Sequence, residues 1–281
     1  MPNFIDEYAR EKYLAAYEIA MRAWPEPRTE IDVLTSFGTV HVHRYGPERG
    51  TPIVLLHGAA GGSAHWHRQV AALGGEHPVY AIDTLDDPGR SVPSREVTGS
   101  AENAAWLDET LAGLGLDGVT VVGHSYGGFL ALCLALHRPE RLGSVVLLDP
   151  GGLEKVPLRF YLHVLAGLPA MLAPRRARPV LARLLANHAL AMPPEQVAPV
   201  LLAARTWRTK RPAARAFSDD EIHSIRVPMR IVLAGRSSLV RPRRVRRRFP
   251  RHDITIIRGA GHGLPLERPG TVNRLILDVV R

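Results

Sequence analysis

The stretch Val119-Thr-Val-Val-Gly123-His-Ser125-Tyr-Gly127-Gly128-Phe129 passes from an apolar β-type run at 119–122, through Gly-x-Ser-x-Gly, into an apolar helical run at 129–137. As a bare five-position pattern it carries little weight. Its context decides, because a serine between a strand and a helix is held on a strained turn with its hydroxyl presented at the end of the sheet. Gly123 and Gly127 suit that turn, since a Cβ would collide where strand and helix pack closely. Ser125 is the candidate nucleophile.

On either side of this turn, β-type runs alternate with helical stretches, the pattern of an α/β fold with a mostly parallel central sheet flanked by helices. Residues 39–45 alternate as an edge strand does, and 52–57, 78–83, 119–123 and 144–149 read as buried strands, followed later by 228–235 and 253–258. Between 149 and 228 the strand pattern stops. Ala, Leu, Arg and Pro at helical spacing take its place, broken at Pro157, Pro169, Pro174, Pro193 and Pro212. The expected organisation is a core of 1–150 and 223–281 carrying an inserted helical cap at 151–222. The most apolar stretch, 156–174, is interrupted by Arg159, His163 and Pro169, so it reads as a cap helix and not a membrane span.

A serine hydroxyl is a weak nucleophile near neutrality and needs a base beside it. Of thirteen histidines, His262 has the best setting, in the glycine-rich loop Gly259-Ala-Gly-His-Gly-Leu-Pro265 directly after the last strand run. A tetrahedral intermediate also needs two preorganised N–H donors for its oxygen. Tyr126, just after the nucleophile, supplies one. The second is expected from Ala59 in His57-Gly-Ala-Ala-Gly-Gly-Ser63, where glycines permit close backbone approach. That loop is not followed by Gly-Lys-Ser/Thr and contains no Gly-x-Gly-x-x-Gly, which disfavours nucleotide binding.

Composition narrows the classes further. In 281 residues, 46% are hydrophobic and 22% charged, as in ordinary globular proteins. The single cysteine, Cys133, excludes an internal disulfide, and no secretory signal pattern opens the chain, so a cytoplasmic location is expected. Lys+Arg 36 against Asp+Glu 27 gives a formal charge of +9, nearly all of the excess arginine. Its densest run, 241–249, reads as a short helix anchored by Val245 and Phe249 with arginines outward, so neither nucleic acid nor a membrane is expected as a partner. No cluster such as His-Glu-x-x-His is present, so no metal and no organic cofactor is called for.

With His57-Gly58, Gly123-His-Ser-Tyr-Gly127 and Gly261-His262 in this order, the chain resembles the α/β-hydrolase superfamily over nearly its whole length. More closely it resembles the bacterial naproxen-type carboxylesterases, through Tyr13, Tyr17, Trp24-Pro25, Ala81-Ile-Asp-Thr84, Gly89-Arg-Ser-Val-Pro93 and Asn103-Ala-Ala-Trp106. The resemblance implies ester hydrolysis through an acyl-enzyme under a helical cap. It also implies a carboxylate in the loop Gly235-Arg-Ser-Ser238, where this chain has Ser238. The substitute it suggests is Asp149, because some superfamily members carry the acid at the end of that earlier strand. An Asp in Leu-Asp-Pro before two glycines equally reads as a turn cap, and both readings stand at this level. Glu267 is expected to start the last helix and point away.

The expected activity is hydrolysis of a carboxylic ester or lactone of a small, mainly apolar acid; the arginine-rich cap fits an acidic substrate and fits equally an apolar pocket lined by Phe160, Leu162, Leu165 and Trp207 with the arginines turned outward. A non-hydrolytic acyl transferase or cyclase and a catalytically silent ligand-binding protein are the alternatives, and loss of the usual acid favours both. Substrate identity and oligomeric state are not encoded in any motif of the chain.

Overall fold

The computed structural model describes residues 3–170, 173–174, 176–210 and 212–280. Among the described residues nine strands form one sheet: β1 (Thr29–Thr35), β2 (Gly38–Tyr45), β3 (Ile53–Leu56), β4 (Val79–Ile82), β5 (Val92–Pro93), β6 (Val119–His124), β7 (Leu142–Leu148), β8 (Met229–Ala234) and β9 (Asp253–Ile257). Their order is β1-β2-β4-β3-β6-β7-β8-β9, with β5 paired to β2. From β4 to β9 all neighbours are parallel, whereas β2 runs antiparallel to β1, β4 and β5.

The centre follows from the sequence. Every residue of β3, β4 and β6 is buried, as expected of strands covered on both faces. The helix Tyr126–His137 is buried along nearly all its length between the sheet and the helix Ser100–Gly113, which explains its lack of a polar face.

Two expectations need correction. Residues 39–45 do not form the edge, because β1 pairs outside β2. β1 escapes detection by its polarity, with only Val33 and Thr35 of Thr29-Glu-Ile-Asp-Val-Leu-Thr35 buried. A tight turn at Ser36-Phe37 joins it to Gly38, whose φ of +137° suits glycine and whose Cβ would lie 2.2 Å from Val92 O. Glu267, in turn, closes a one-turn helix, Leu264–Glu267, and the last helix is Pro269–Val280.

Between β7 and β8 run the helices Leu158–Ala170, Arg178–Leu185, Pro194–Thr206 and Asp219–Ser224, with a 3-10 turn at His188–Ala191. The expected helix at 156–174 is described as Leu158–Ala170; residues 171 and 172 lie outside the described residues. No helix among the described residues is long and apolar enough to cross a membrane. The arginine-rich run forms the helix Pro242–Arg248 with Val245 and Phe249 fully buried. Most of its arginines are exposed, but Arg248 turns inward to the carbonyls of Leu153 and Phe217 and to Asp219.

Candidate active site

Ser125 directly follows β6 with φ 54° and ψ −113°, a conformation an L-residue holds only when the surroundings enforce it. The enforcement is steric. A Cβ on Gly123 would sit 2.3 Å from Gly127 O, and one on Gly127 2.0 Å from Leu56 O, so neither position admits a side chain. Backbone bonds lock the turn as well, with Ser125 N–H donating to Leu148 O and Ser125 O accepting from Gly128, Phe129 and Gly151.

The structure brings His262 to this serine and Asp149 to His262. His262 Nε2 is 2.9 Å from Ser125 Oγ, and His262 Nδ1 is 2.6 Å from Asp149 Oδ2. A carboxylate only accepts, so Nδ1 carries the proton and the Nε2 lone pair faces the serine hydroxyl. That is the tautomer a general base needs.

Asp149 is fully buried and is also held by two other donors, the Ala234 N–H to Oδ1 at 3.1 Å and the Ser237 hydroxyl to Oδ2 at 2.7 Å. Its own backbone stands at φ 43°, its N–H bonded to Val232 O at 2.7 Å across β7 and β8. Ser237, which has no charge to offer, thus supports the carboxylate. Ser238 takes no part in this relay; its carbonyl accepts from Arg159 Nε at 3.0 Å.

The loop at 57–62 runs beside Ser125. A Cβ on Gly58 would come within 3.2 Å of Ser125 Cβ, so glycine lets the backbone approach. Around it the loop is pinned. His57 Nδ1 donates to Gly58 O, His57 Nε2 accepts from Thr84 N–H, and Ala60 N–H donates to Asp87 Oδ1 at 2.9 Å. The N–H of exposed Ala59 donates to no protein acceptor among the described residues. Tyr126 opens the helix directly after the serine, at the end where the helix dipole favours an anion.

Sequence reasoning missed the support behind His262. His124 Nε2 donates to His262 O at 2.8 Å, fixing the loop that carries this histidine. Burial and the neighbouring His262 push the His124 pKa down to about 3, so the ring is neutral and its one proton serves this bond. His65 stacks on it at 5.2 Å with planes 9° apart, and burial lowers its pKa as well. Glu267 does not point away, since its carboxylate accepts from Gly261 N–H at 2.7 Å and braces the same loop. On the far side Phe160 meets the His262 ring edge-on at 5.6 Å.

The other cap residues expected to line the pocket show no contact with the Ser125–His262 pair among the described residues. Leu162 and Leu165 are more than half exposed, and Trp207 packs against Phe4, which itself packs on Tyr13. One grouping of potential metal ligands is not signalled by any sequence motif. Glu30, His41 and His43, distant in pattern from any ligand motif, are brought together by the β1–β2 pairing.

Comparison with known proteins agrees with this architecture. The alpha/beta hydrolase family model matches residues 53–275. Carboxylesterase YbfK of Bacillus subtilis is 26% identical over 279 residues, spanning 95% of this chain and 93% of its own length. A second Bacillus subtilis protein, described as an uncharacterized carboxylesterase, nap, is 28% identical over 95% of this chain and 91% of its length. The crystal structure of naproxen esterase from Bacillus subtilis superposes with a TM-score of 0.84 at 26% identity, covering 96% of this chain and 98% of that one. With the strand order, the serine turn and the family match over 53–275 in agreement, the chain belongs to the alpha/beta hydrolase family.

Proposed function

We propose that this protein is a carboxylesterase acting through an acyl-enzyme. Ser125 attacks the ester carbonyl, His262 takes the proton and returns it to the leaving alcohol, and Asp149 orients the imidazole and stabilises its charged form. The amides of Tyr126 and Ala59 receive the developing oxyanion. The observation that carries this reading is the unbroken relay from Ser125 Oγ through His262 to a buried Asp149, at 2.9 and 2.6 Å. A carboxylate hydrogen-bonded to His262 favours this reading over a silent binding protein.

The helices of residues 151–222 serve as the cap, and the acyl group lies beside Phe160, which already touches the His262 ring. A small, mainly apolar acid suits that surface. The relatives named as carboxylesterases, similar over almost the whole chain, support the same chemistry. Hydrolysis of a panel of p-nitrophenyl esters of short and aromatic acids tests the proposal. Turnover should be measurable and should fall by about a millionfold, to the limit of detection, in Ser125→Ala; equal turnover in that variant would overturn it.

A further inference from the structure

His41 and His43 project from one face of β2, opposite Glu30 and Asp32 on β1, where the register pairs Glu30 with His43 and Asp32 with His41. Hydrogen bonds fix the ring protons. His41 Nδ1 is 2.6 Å from Asp32 Oδ1, which can only accept, so Nδ1 carries the proton and in the neutral ring the lone pair is at Nε2. Tyr17 has one hydroxyl proton, and Asp83 claims it with both oxygens at 3.0 Å. His43 Nε2, 2.8 Å from the same phenol oxygen, must therefore donate, which leaves the His43 lone pair at Nδ1.

Both lone-pair atoms are buried without a hydrogen-bond partner, in residues only 4% and 0% exposed. The carboxylate of Glu30 faces the pair, 3.8 Å from His41 Nε2 and 3.7 Å from His43 Nδ1, and the three ligand atoms lie within 4.8 Å of one another. Two buried ring nitrogens without a hydrogen-bond partner and one carboxylate thus converge on a common point.

We propose that Glu30, His41 and His43 bind a divalent transition metal, zinc above all, as a structural clamp on the β1–β2 hairpin. Two imidazoles and one carboxylate suit zinc, with water as the fourth ligand. Tetrahedral zinc with bonds of about 2 Å sets its ligand atoms roughly 3.3 Å apart, so the cluster needs to contract only modestly. The partly exposed Glu30 side chain supplies most of that movement. The Asp32–His41 and Tyr17–His43 bonds are the outer supports that hold ligating imidazoles in register. Through Tyr17 the metal would tie the hairpin to the helix Glu7–Met21.

Arg90 Nη1 and Arg28 Nε stand 3.4 and 3.8 Å from the Glu30 oxygens, and their charge opposes a divalent ion. Filling is therefore expected at micromolar zinc, not nanomolar. On β2, separated from β6 by β4 and β3, the site supplies no group to the Ser125 relay.

The test is a Co²⁺ titration of the EDTA-stripped full chain, followed by visible absorption, with thermal unfolding measured in excess zinc. Wild type is compared with Glu30→Gln, a partly exposed change compatible with folding, and with His43→Gln. One cobalt per chain with d–d bands is expected, and zinc should raise Tm by about 5 °C. Each variant should weaken cobalt binding at least tenfold and lose the zinc shift. Absence of the bands in wild type, or equal uptake and equal zinc shifts in wild type and Glu30→Gln, would overturn the proposal.

Discussion

At the scale of single residues, the relay depends on how well Asp149 is held, and Ser237 is one of its supports. The Ser237 hydroxyl donates to Asp149 Oδ2 at 2.7 Å while its oxygen accepts the N–H groups of Leu239 and Val240. Removing it leaves the buried carboxylate with the Ala234 amide and His262 as donors. A lost hydrogen bond to a charged group costs about 1.5–3 kcal/mol, so Ser237→Ala should lower kcat by roughly ten- to a hundredfold with KM nearly unchanged. Steady-state kinetics on a p-nitrophenyl ester checks this, and a kcat within twofold of wild type would show that Ser237 does not position the acid. Neither Ser237 nor Asp149 announces its role locally. Leu-Asp-Pro reads as a turn cap as readily as an acid, and the partner that distinguishes the two is His262, which only the folded sheet brings near.

At the scale of elements, the strand-turn-helix around Ser125 was legible because its causes are local. Glycines where a Cβ cannot fit, a valine-rich strand before them and an apolar helix after them all occur within one short run. Gly127→Ala would place a methyl 2.0 Å from Leu56 O, against backbone that cannot swing aside. It should destabilise the fold by about 3 kcal/mol or more, whereas Gly75→Ala, whose Cβ meets nothing within 4 Å, should stay within about 0.5 kcal/mol. Urea denaturation of the two variants gives the comparison, and equal midpoints would contradict the steric account. β1 was not legible for the opposite reason. Its exposed, charged alternation resembles a loop until β2 pairs with it, and the Glu30–His41–His43 cluster exists only through that register.

At the scale of the whole molecule, His262 is backed by His124 and by His65 stacked on it, two histidines with lowered pKa values, which makes stability depend on pH. Burial depresses the pKa of His65 and of His124, the latter to about 3. Both rings gain a proton on unfolding below their ordinary value of about 6.5, so the unfolded chain binds more protons in that window. Their contribution is complete above about pH 6.5 and is lost as pH falls toward the folded values, at up to ~1.4 kcal/mol per pH unit for each group. Urea midpoints should therefore fall between about pH 7 and about pH 5, and His65→Phe should flatten the slope. An identical slope in the variant would remove His65 from the account.

The central claim is that Asp149, at the end of β7, is the acid of the relay in a chain with Ser238 in the β8 loop. The rate constant for covalent labelling by a fluorophosphonate, read by intact mass, tests it without a known substrate. Wild type should label rapidly and Asp149→Asn, with the wrong tautomer imposed on His262, about a thousandfold or more slowly. Labelling of the variant within a few-fold of wild type would contradict the claim and reduce Asp149 to a turn residue.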